Sequence, residues 1–347
     1  MPSLRARLAS AVVAWKFSER KNASVDGILD DIRSTWEKEN DDEVVPTKTA
    51  EVFTAQQSGK TWQVYHIRPR NGPVEVGKVV VYFHGGAFIR RMQDRHWIFV
   101  QKLADELKCD VIVPIYTLAP LATGTSCIQT CIELLAHLER DDIRYRNKQF
   151  VLTGDSAGGW IALRTLLALV ERQTGKVTFR DRQDKVHVSD LKLEQQPEDI
   201  DYKAILDSIS DDPWLSKNII DVAARLWSYG PSLAYPTYDF GVPDERKALP
   251  TAYDEAGGLL DIEESRFSPV NGLDCLKFLP NLETQFTTVI GTHDILYPSN
   301  VRMQERFKAL GVKSELHVYE GLFHVFPLLP WLPESMDAFE KIRALFA

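Results

Sequence analysis

Ser156 lies in the pattern Gly154-Asp155-Ser156-Ala157-Gly158, after a strand-like apolar run and before a helical apolar run. A G-x-S-x-G pattern in this context is typical of a sharp turn that displays a nucleophilic serine, because larger flanking side chains would collide. The N–H groups that begin the following helix favour negative charge beside the hydroxyl. Small-residue turns without any chemistry also follow strands, so this interpretation depends on partners elsewhere in the chain.

A serine is a poor nucleophile until a base takes its proton, and that base needs an orienting acid. On a strand–turn–helix scaffold the acid and then the histidine follow the serine in sequence, each in a loop after a strand. Asp294 in "VIGTHDILYP" and His324 in "ELHVYEGLFHVF" satisfy this order. His293 is the rival base, but it is adjacent to Asp294, and neighbouring side chains on an extended chain point apart. We therefore predict that His324 is the base.

Acyl transfer also needs hydrogen-bond donors for the developing oxyanion. The segment "YFHGGAF" ends an earlier predicted strand with two glycines. We predict that the backbone N–H groups of Gly86 and Ala87, together with that of Ala157, converge on one carbonyl oxygen. His84, at the end of the strand, is predicted to brace this loop by hydrogen bonding rather than to act as the base.

Strands and helices that would hold these residues are predicted to alternate along most of the chain. "TAEVFTA" and "TWQVYHIRP" flank Ser58 and Gly59 and predict an antiparallel hairpin. Later strands are predicted at "KVVVYFHGG", "DVIVPIYTLAP", "QFVLTGDS", "FTTVIGTHD" and "KSELHVYEG". Helices of a dozen or more residues separate them, one of them from about Ser126 to Leu138. This alternation predicts an α/β fold with a mostly parallel sheet and helices on both faces.

Two regions depart from the alternation and are predicted to form a cap. Residues 1–45 are helical and flanked by polar residues, and an insertion at about 174–265 in the α/β domain (46–347) is rich in charges, proline and aromatics. In an open α/β fold, insertions beyond the carboxyl ends of the strands lie over the binding crevice. The aromatics of the insertion, such as Trp214, Trp227 and Phe240, either line a pocket or form the core of the cap.

Composition restricts the partners of the chain. Its 347 residues carry a net charge of −8, which argues against a nucleic-acid partner. No apolar run is long enough for a transmembrane helix, and the short run at 8–15 is interpreted as an amphipathic helix rather than a secretory signal. We expect no stable membrane insertion.

The four cysteines are too scattered for a disulfide framework, which favours a reducing, cytoplasmic setting. Cys127 and Cys131 are four residues apart, but no second pair of ligands near them completes a metal site. We expect neither a metal nor an organic cofactor.

The segments "HGGAF", "GDSAGGW", "GTHDILYP" and "GLFHVF" together resemble the hormone-sensitive-lipase-like group of α/β-hydrolases, which includes many microbial carboxylesterases. The resemblance extends from about Trp62 to the C-terminus and implies an α/β-hydrolase fold with a helical cap. It implies a catalytic triad of Ser156, Asp294 and His324. The oxyanion loop and the supporting motif positions would be Gly85, Gly86, Ala87, His84, Gly154, Asp155 and Gly158.

The chain departs from that family in three places, and one of them is Thr117, where the family commonly has a positively charged residue or proline. The family usually has a third glycine where this chain has Ala87, whose N–H remains but whose methyl group narrows the approach to the loop. After Gln173 the family has an apolar central strand, whereas "KVHVSDLKL" alternates and predicts an edge or half-exposed strand.

The resulting hypothesis is a serine carboxylesterase that cleaves small to medium apolar esters through an acyl-enzyme. An arylformamidase or amidase would use the same triad and stays an alternative. Two non-enzymatic alternatives are a catalytically silent small-molecule receptor, of which the plant gibberellin receptor is an example in this family, and an interaction or structural homologue. Retention of Ser156, Asp294 and His324 favours the enzyme. A homodimer is kept open.

Overall fold

A computed structural model describes residues 2–16, 18, 23–37, 50–56, 60–72, 74, 77–174, 212, 215–235, 237–241, 273, 275–276 and 284–346. The strands are β1 (Ala50–Thr54), β2 (Thr61–Ile67), β3 (Lys78–Phe83), β4 (Val111–Ile115), β5 (Gln149–Gly154), β6 (Phe286–Gly291) and β7 (Ser314–Tyr319). The helices are α1 (Leu4–Lys16), α2 (Val25–Glu37), α3 (Asp94–Leu107), α4 (Gly124–Arg140), α5 (Ala157–Thr174), α6 (Lys217–Tyr229), α7 (Pro231–Ala234), α8 (Tyr297–Ala309) and α9 (Pro333–Ala344).

Five of the described strands form one sheet in the order β1-β2-β4-β3-β5, and β6 pairs with β7. The β1–β2 pair is antiparallel, with Ala50 opposite Tyr65, so the predicted hairpin is confirmed. β2 is also antiparallel to β4, whereas β3–β4, β3–β5 and β6–β7 are parallel. The carboxyl ends of β3 and β5 therefore lie side by side, and the same holds for β6 and β7.

Strand β3 is buried on both faces, as a central parallel strand must be. Val79, Val81 and Phe83 belong to one apolar cluster, which also contains residues of α4 and α5. Val80 and Tyr82 belong to a second cluster on the opposite face, which contains residues of α3 and α9. The prediction of a sheet covered by helices on both faces is thus confirmed.

The two N-terminal helices pack on different parts of the molecule. The small residues Ala6, Ala9 and Val13 of α1 pack in one cluster with Leu322 and Phe323, next to the predicted base. Helix α2 contributes Ile28, Leu29 and Ile32 to the large cluster above the sheet, where it meets Val222 and Leu226 of α6.

Aromatic residues of the insertion belong to that same large cluster. Trp227 and Phe240 are buried there, and Tyr235 and Tyr238 are partly buried against it. These aromatics are therefore part of the large core cluster.

Several predictions fall on parts of the chain that the structure does not describe. They are the segment "KVHVSDLKL", Trp214 and most of the predicted insertion at 174–265. Among the described helices, none combines the length and the apolar character that crossing a bilayer requires.

Candidate active site

The predicted nucleophile occupies a strained turn between β5, which ends at Gly154, and α5, which begins at Ala157. Ser156 has a φ of 50°. This left-handed conformation costs about 1–2 kcal/mol for a residue with a side chain. A Cβ atom at Gly154 or at Gly158 would overlap with the backbone carbonyl oxygen of Phe83 at the end of β3. Glycine is required on both sides because the turn lies directly against the neighbouring strand.

Three side chains from three separate loops meet at this turn. The Ser156 hydroxyl oxygen lies 2.8 Å from His324 Nε2, and His324 Nδ1 lies 2.8 Å from Asp294 Oδ2. His324 and Asp294 are both buried. A carboxylate can only accept a hydrogen bond, so Nδ1 carries the ring proton and Nε2 is left to accept from the serine hydroxyl.

Parallel pairing of β6 and β7 brings the acid and the base together. Asp294 follows β6, and His324 follows β7. A Cβ atom at Gly291 would overlap with the Leu322 carbonyl, so glycine allows the two loops to approach. Asp294 Oδ1 also accepts the N–H of Leu296 at 2.8 Å, which fixes the carboxylate within its own loop.

The rival histidine takes no part in this arrangement. His293 is exposed, and its backbone N–H donates to the carbonyl of Leu322 at 2.9 Å. The side chain that reaches Ser156 is that of His324.

The electrostatic surroundings favour the protonated form of His324. Burial by itself lowers the pKa of this imidazole. The charge and hydrogen bond of Asp294, with smaller contributions from Asp212 and Asp155, outweigh burial and raise the pKa above its ordinary value. An imidazole of raised basicity beside a serine hydroxyl is equipped to take a proton.

Beside the turn, the loop after β3 has three successive residues with positive φ: Gly86 at 120°, Ala87 at 53° and Phe88 at 63°. No described residue accepts a hydrogen bond from the backbone N–H of Gly86, Ala87 or Ala157. These three predicted donors thus remain available to a ligand. Gly85 differs, because its N–H donates to Asp155 Oδ1 at 2.9 Å and so anchors the loop instead of facing an oxyanion.

Asp155 holds this loop against the serine turn. Its carboxylate accepts hydrogen bonds from the Tyr82 hydroxyl and the Gly85 N–H, and it lies 3.4 Å from His96 Nε2. Burial alone would raise the pKa of Asp155, but the contacts with His96, Tyr82 and Gly85 outweigh it, so the pKa is lowered. The sequence placed Asp155 in the motif but did not predict these partners, which come from β3, the loop after it and α3.

His84 contacts the loop from the other side. Its Nδ1 lies 2.6 Å from the Gly85 carbonyl, and its ring stacks on Tyr116 with centroids 4.4 Å apart. Burial lowers the pKa of His84 to about 4, which leaves the ring neutral near pH 7. The Tyr116 hydroxyl donates to the His84 carbonyl at 2.8 Å, so His84 is itself held in place.

Aromatic side chains flank the predicted donors. The Phe88 ring stacks on Trp227 of α6, with centroids 4.4 Å apart, and meets the edge of Trp160 on α5 at 5.5 Å. Arg90, two residues after Phe88, forms an ion pair with Asp31 of α2. The loop is therefore held by both α6 and α2.

Only one group of acidic, histidine or cysteine side chains in the described ranges converges closely enough to hold a metal: Asp212, Asp294 and His324. Both ring nitrogens of His324 are engaged there, one with Asp294 and the other with Ser156. The cluster is accounted for by its own hydrogen bonds. The sequence did not predict Asp212, because "DDPWLS" lies far from the triad in the chain and has no periodic pattern around it.

Comparisons with known proteins concern the family and the fold of the chain. The family model described as "alpha/beta hydrolase fold" matches residues 80–328. The carboxylesterase/phospholipase LipF of Mycobacterium tuberculosis is 36% identical over 87 residues, which are 25% of this chain and 23% of that protein. The chain thus matches less than a quarter of the length of this curated relative.

Two solved structures resemble almost the entire chain. A hyperthermophilic esterase from the archaeon Pyrobaculum calidifontis is similar with a TM-score of 0.62 and 19% identity. The match covers 100% of this chain and 98% of the esterase chain. An ester hydrolase from the metagenome of Lake Arreo has a TM-score of 0.63 and 18% identity, with the same coverage of 100% and 98%. At these identities the likeness concerns the fold, and it confirms the α/β-hydrolase architecture.

Proposed function

The chain belongs to the alpha/beta hydrolase family, and from this premise we propose that it is a serine hydrolase that cleaves carboxylic esters through an acyl-enzyme. The observation that carries the proposal is the chain of two 2.8 Å hydrogen bonds from Ser156 through His324 to Asp294. This hydrogen-bond chain begins at Ser156, whose backbone is strained and which lies at a helix N-terminus, where a nucleophile is presented to substrate.

In the proposed reaction, His324 Nε2 takes the hydroxyl proton while Ser156 Oγ attacks the ester carbonyl carbon. Asp294 stabilises the imidazolium that forms. The N–H groups of Gly86, Ala87 and Ala157 donate to the oxyanion of the tetrahedral intermediate.

Collapse of that intermediate breaks the ester C–O bond, and the imidazolium gives its proton to the departing alcohol. Water, deprotonated by His324, then attacks the acyl-enzyme and releases the acid and the free serine.

We propose small to medium apolar esters as the substrate class. Phe88 and Trp160 place apolar rings at the donor loop. The relative and the two solved structures described above are named as a carboxylesterase/phospholipase, an ester hydrolase and an esterase. No observation favours an amidase or a silent receptor over this reaction.

We further propose that the helices within 1–45 and the insertion at about 174–265 form a cap on the domain of residues 46–347. The packing of α2 on α6 and the ion pair from Asp31 to Arg90 support this division. The four cysteines are buried as free thiols, which supports a reducing, cytoplasmic setting. Homodimer formation stays a prediction.

The test compares wild type, Ser156→Ala and the control Ser299→Ala, which changes an exposed serine on α8, on a series of p-nitrophenyl esters of increasing acyl length. We expect short and medium esters to be hydrolysed and Ser156→Ala to lose at least about 10³-fold in kcat. Ser299→Ala should match wild type. Folding of each variant is checked by circular dichroism.

The proposal fails if wild type hydrolyses none of the esters and Ser156 takes up no serine-directed phosphonate, as judged by mass spectrometry.

A further inference from the structure

A second carboxylate lies beside the predicted acid and base. Asp212 is buried, with 1% of its surface exposed. One of its carboxylate oxygens, one of Asp294 and one ring nitrogen of His324 lie within 4.8 Å of one another. The mechanism above uses Asp294 and His324 but gives Asp212 no role.

The hydrogen bonds of Asp212 connect two separate parts of the chain. Oδ2 accepts the N–H of Ile295, the residue after Asp294, at 3.0 Å. Oδ1 accepts the N–H of Leu215 at 3.2 Å, just before α6 begins. The carboxylate therefore ties the loop of the predicted acid to the start of the helix that carries Trp227.

The charge of Asp212 acts on His324 as well. The acidic groups around this imidazole are Asp294 in the loop after β6, Asp212 before α6 and Asp155 in the turn after β5. Two buried carboxylates at this separation repel each other, and a proton on the imidazole between them relieves the repulsion. The imidazolium is the form that arises when the base takes the serine proton.

We propose that Asp212 is a positioning residue of the esterase site: it holds the Asp294 loop through Ile295 and supplies a second negative charge that stabilises the His324 imidazolium. This inference rests on the proposed function, but its effect on His324 is measurable without any substrate.

The distinguishing variants are Asp212→Asn and Asp212→Ser, which remove the charge but keep an oxygen that accepts a backbone N–H. The base works only when neutral, so kcat/KM rises with pH through the pKa of His324. Loss of a nearby negative charge lowers that pKa, so the acidic limb of the profile should move to lower pH. The plateau should fall by up to about tenfold, because a less basic imidazole takes the serine proton less readily.

Asp221→Asn is the matched control, because it removes an exposed carboxylate on α6 that pairs with Arg225. Its acidic limb and plateau should coincide with those of wild type. A purely structural role of Asp212 would lower the plateau of both Asp212 variants and leave the limb in place, and that result overturns the proposal.

NMR titration of the His324 ring without substrate gives a second readout, with the signal assigned by its loss in His324→Gln. A lower pKa in both folded Asp212 variants supports the inference, and an unchanged pKa overturns it. If wild type cleaves no ester, the proposed function fails while this titration still decides the role of Asp212. If one variant does not fold, the other carries the test.

Discussion

Replacing Asp155 with asparagine should loosen the donor loop from the serine turn. The carboxylate now binds the Tyr82 hydroxyl, the Gly85 N–H and His96 Nε2. His96 Nδ1 accepts the N–H of Gln93 at 2.9 Å, so the ring proton is on Nε2 and points at the carboxylate. An asparagine that keeps accepting from Tyr82 and Gly85 must turn its own NH₂ group toward this N–H. Two donors then face each other in a nearly buried site.

The size of the destabilisation follows from the hydrogen bond that the Asp155 carboxylate loses and from the donor that is left without an acceptor. A hydrogen bond to a buried charged group contributes about 1.5–3 kcal/mol, and a buried donor without an acceptor costs about 1–3 kcal/mol. We expect Asp155→Asn to lower the free energy of unfolding by about 3 kcal/mol. Because Gly85 leads into the donor loop, kcat for ester hydrolysis should also fall by about 10- to 100-fold, less than the loss of a whole oxyanion donor.

Urea unfolding followed by fluorescence gives the stability change, and p-nitrophenyl ester hydrolysis gives kcat. Asp141→Asn is the control, since that carboxylate lies just after α4, is 69% exposed and pairs with His137 on the last turn of the helix. It should change stability by less than about 0.5 kcal/mol. If Asp155→Asn matched this control in both stability and kcat, the anchoring role of Asp155 would be refuted.

Two further predictions concern the serine turn and the base. Gly158→Ala should unfold or severely destabilise the protein, by more than about 3 kcal/mol, because the added methyl overlaps with the Phe83 carbonyl. The adjacent Gly159→Ala has its closest approach at 3.3 Å and should stay within about 1 kcal/mol of wild type by urea unfolding. For the base, His324→Ala should abolish turnover while His293→Ala keeps both the rate and the acidic limb of the pH profile. Activity that survives in His324→Ala and vanishes in His293→Ala would show that the base is misassigned.

Local pattern was sufficient for most of the elements. The hairpin and the later strands appear where alternation or apolar runs predicted them. The helix predicted from about Ser126 to Leu138 extends over Gly124–Arg140. These successes have one reason: the periods of apolar residues in helices and strands follow directly from backbone geometry. The catalytic roles of Ser156, Asp294 and His324 remain predictions for the assays above.

Other features depended on contacts that no local pattern encodes. The resemblance implied that Gly85 belongs to the oxyanion loop, but no local pattern indicated that its N–H donates to Asp155, a partner seventy residues away. The sequence left open whether the aromatics of the predicted insertion line a pocket or form a core. Trp227 and Phe240 are buried in the large cluster, so these two residues form core.

The sequence by itself determined which candidate residues follow which predicted strands. The glycines around Ser156 indicated a strained turn, and the order of serine, acid and histidine along the chain indicated a triad. Only the tertiary structure decided that Asp212 joins Asp294 and His324, and that Asp155 anchors the donor loop. Both carboxylates act through partners distant in the chain. Their geometry is set by how strands and helices pack, since short-range sequence patterns carry no information about which distant loops will meet.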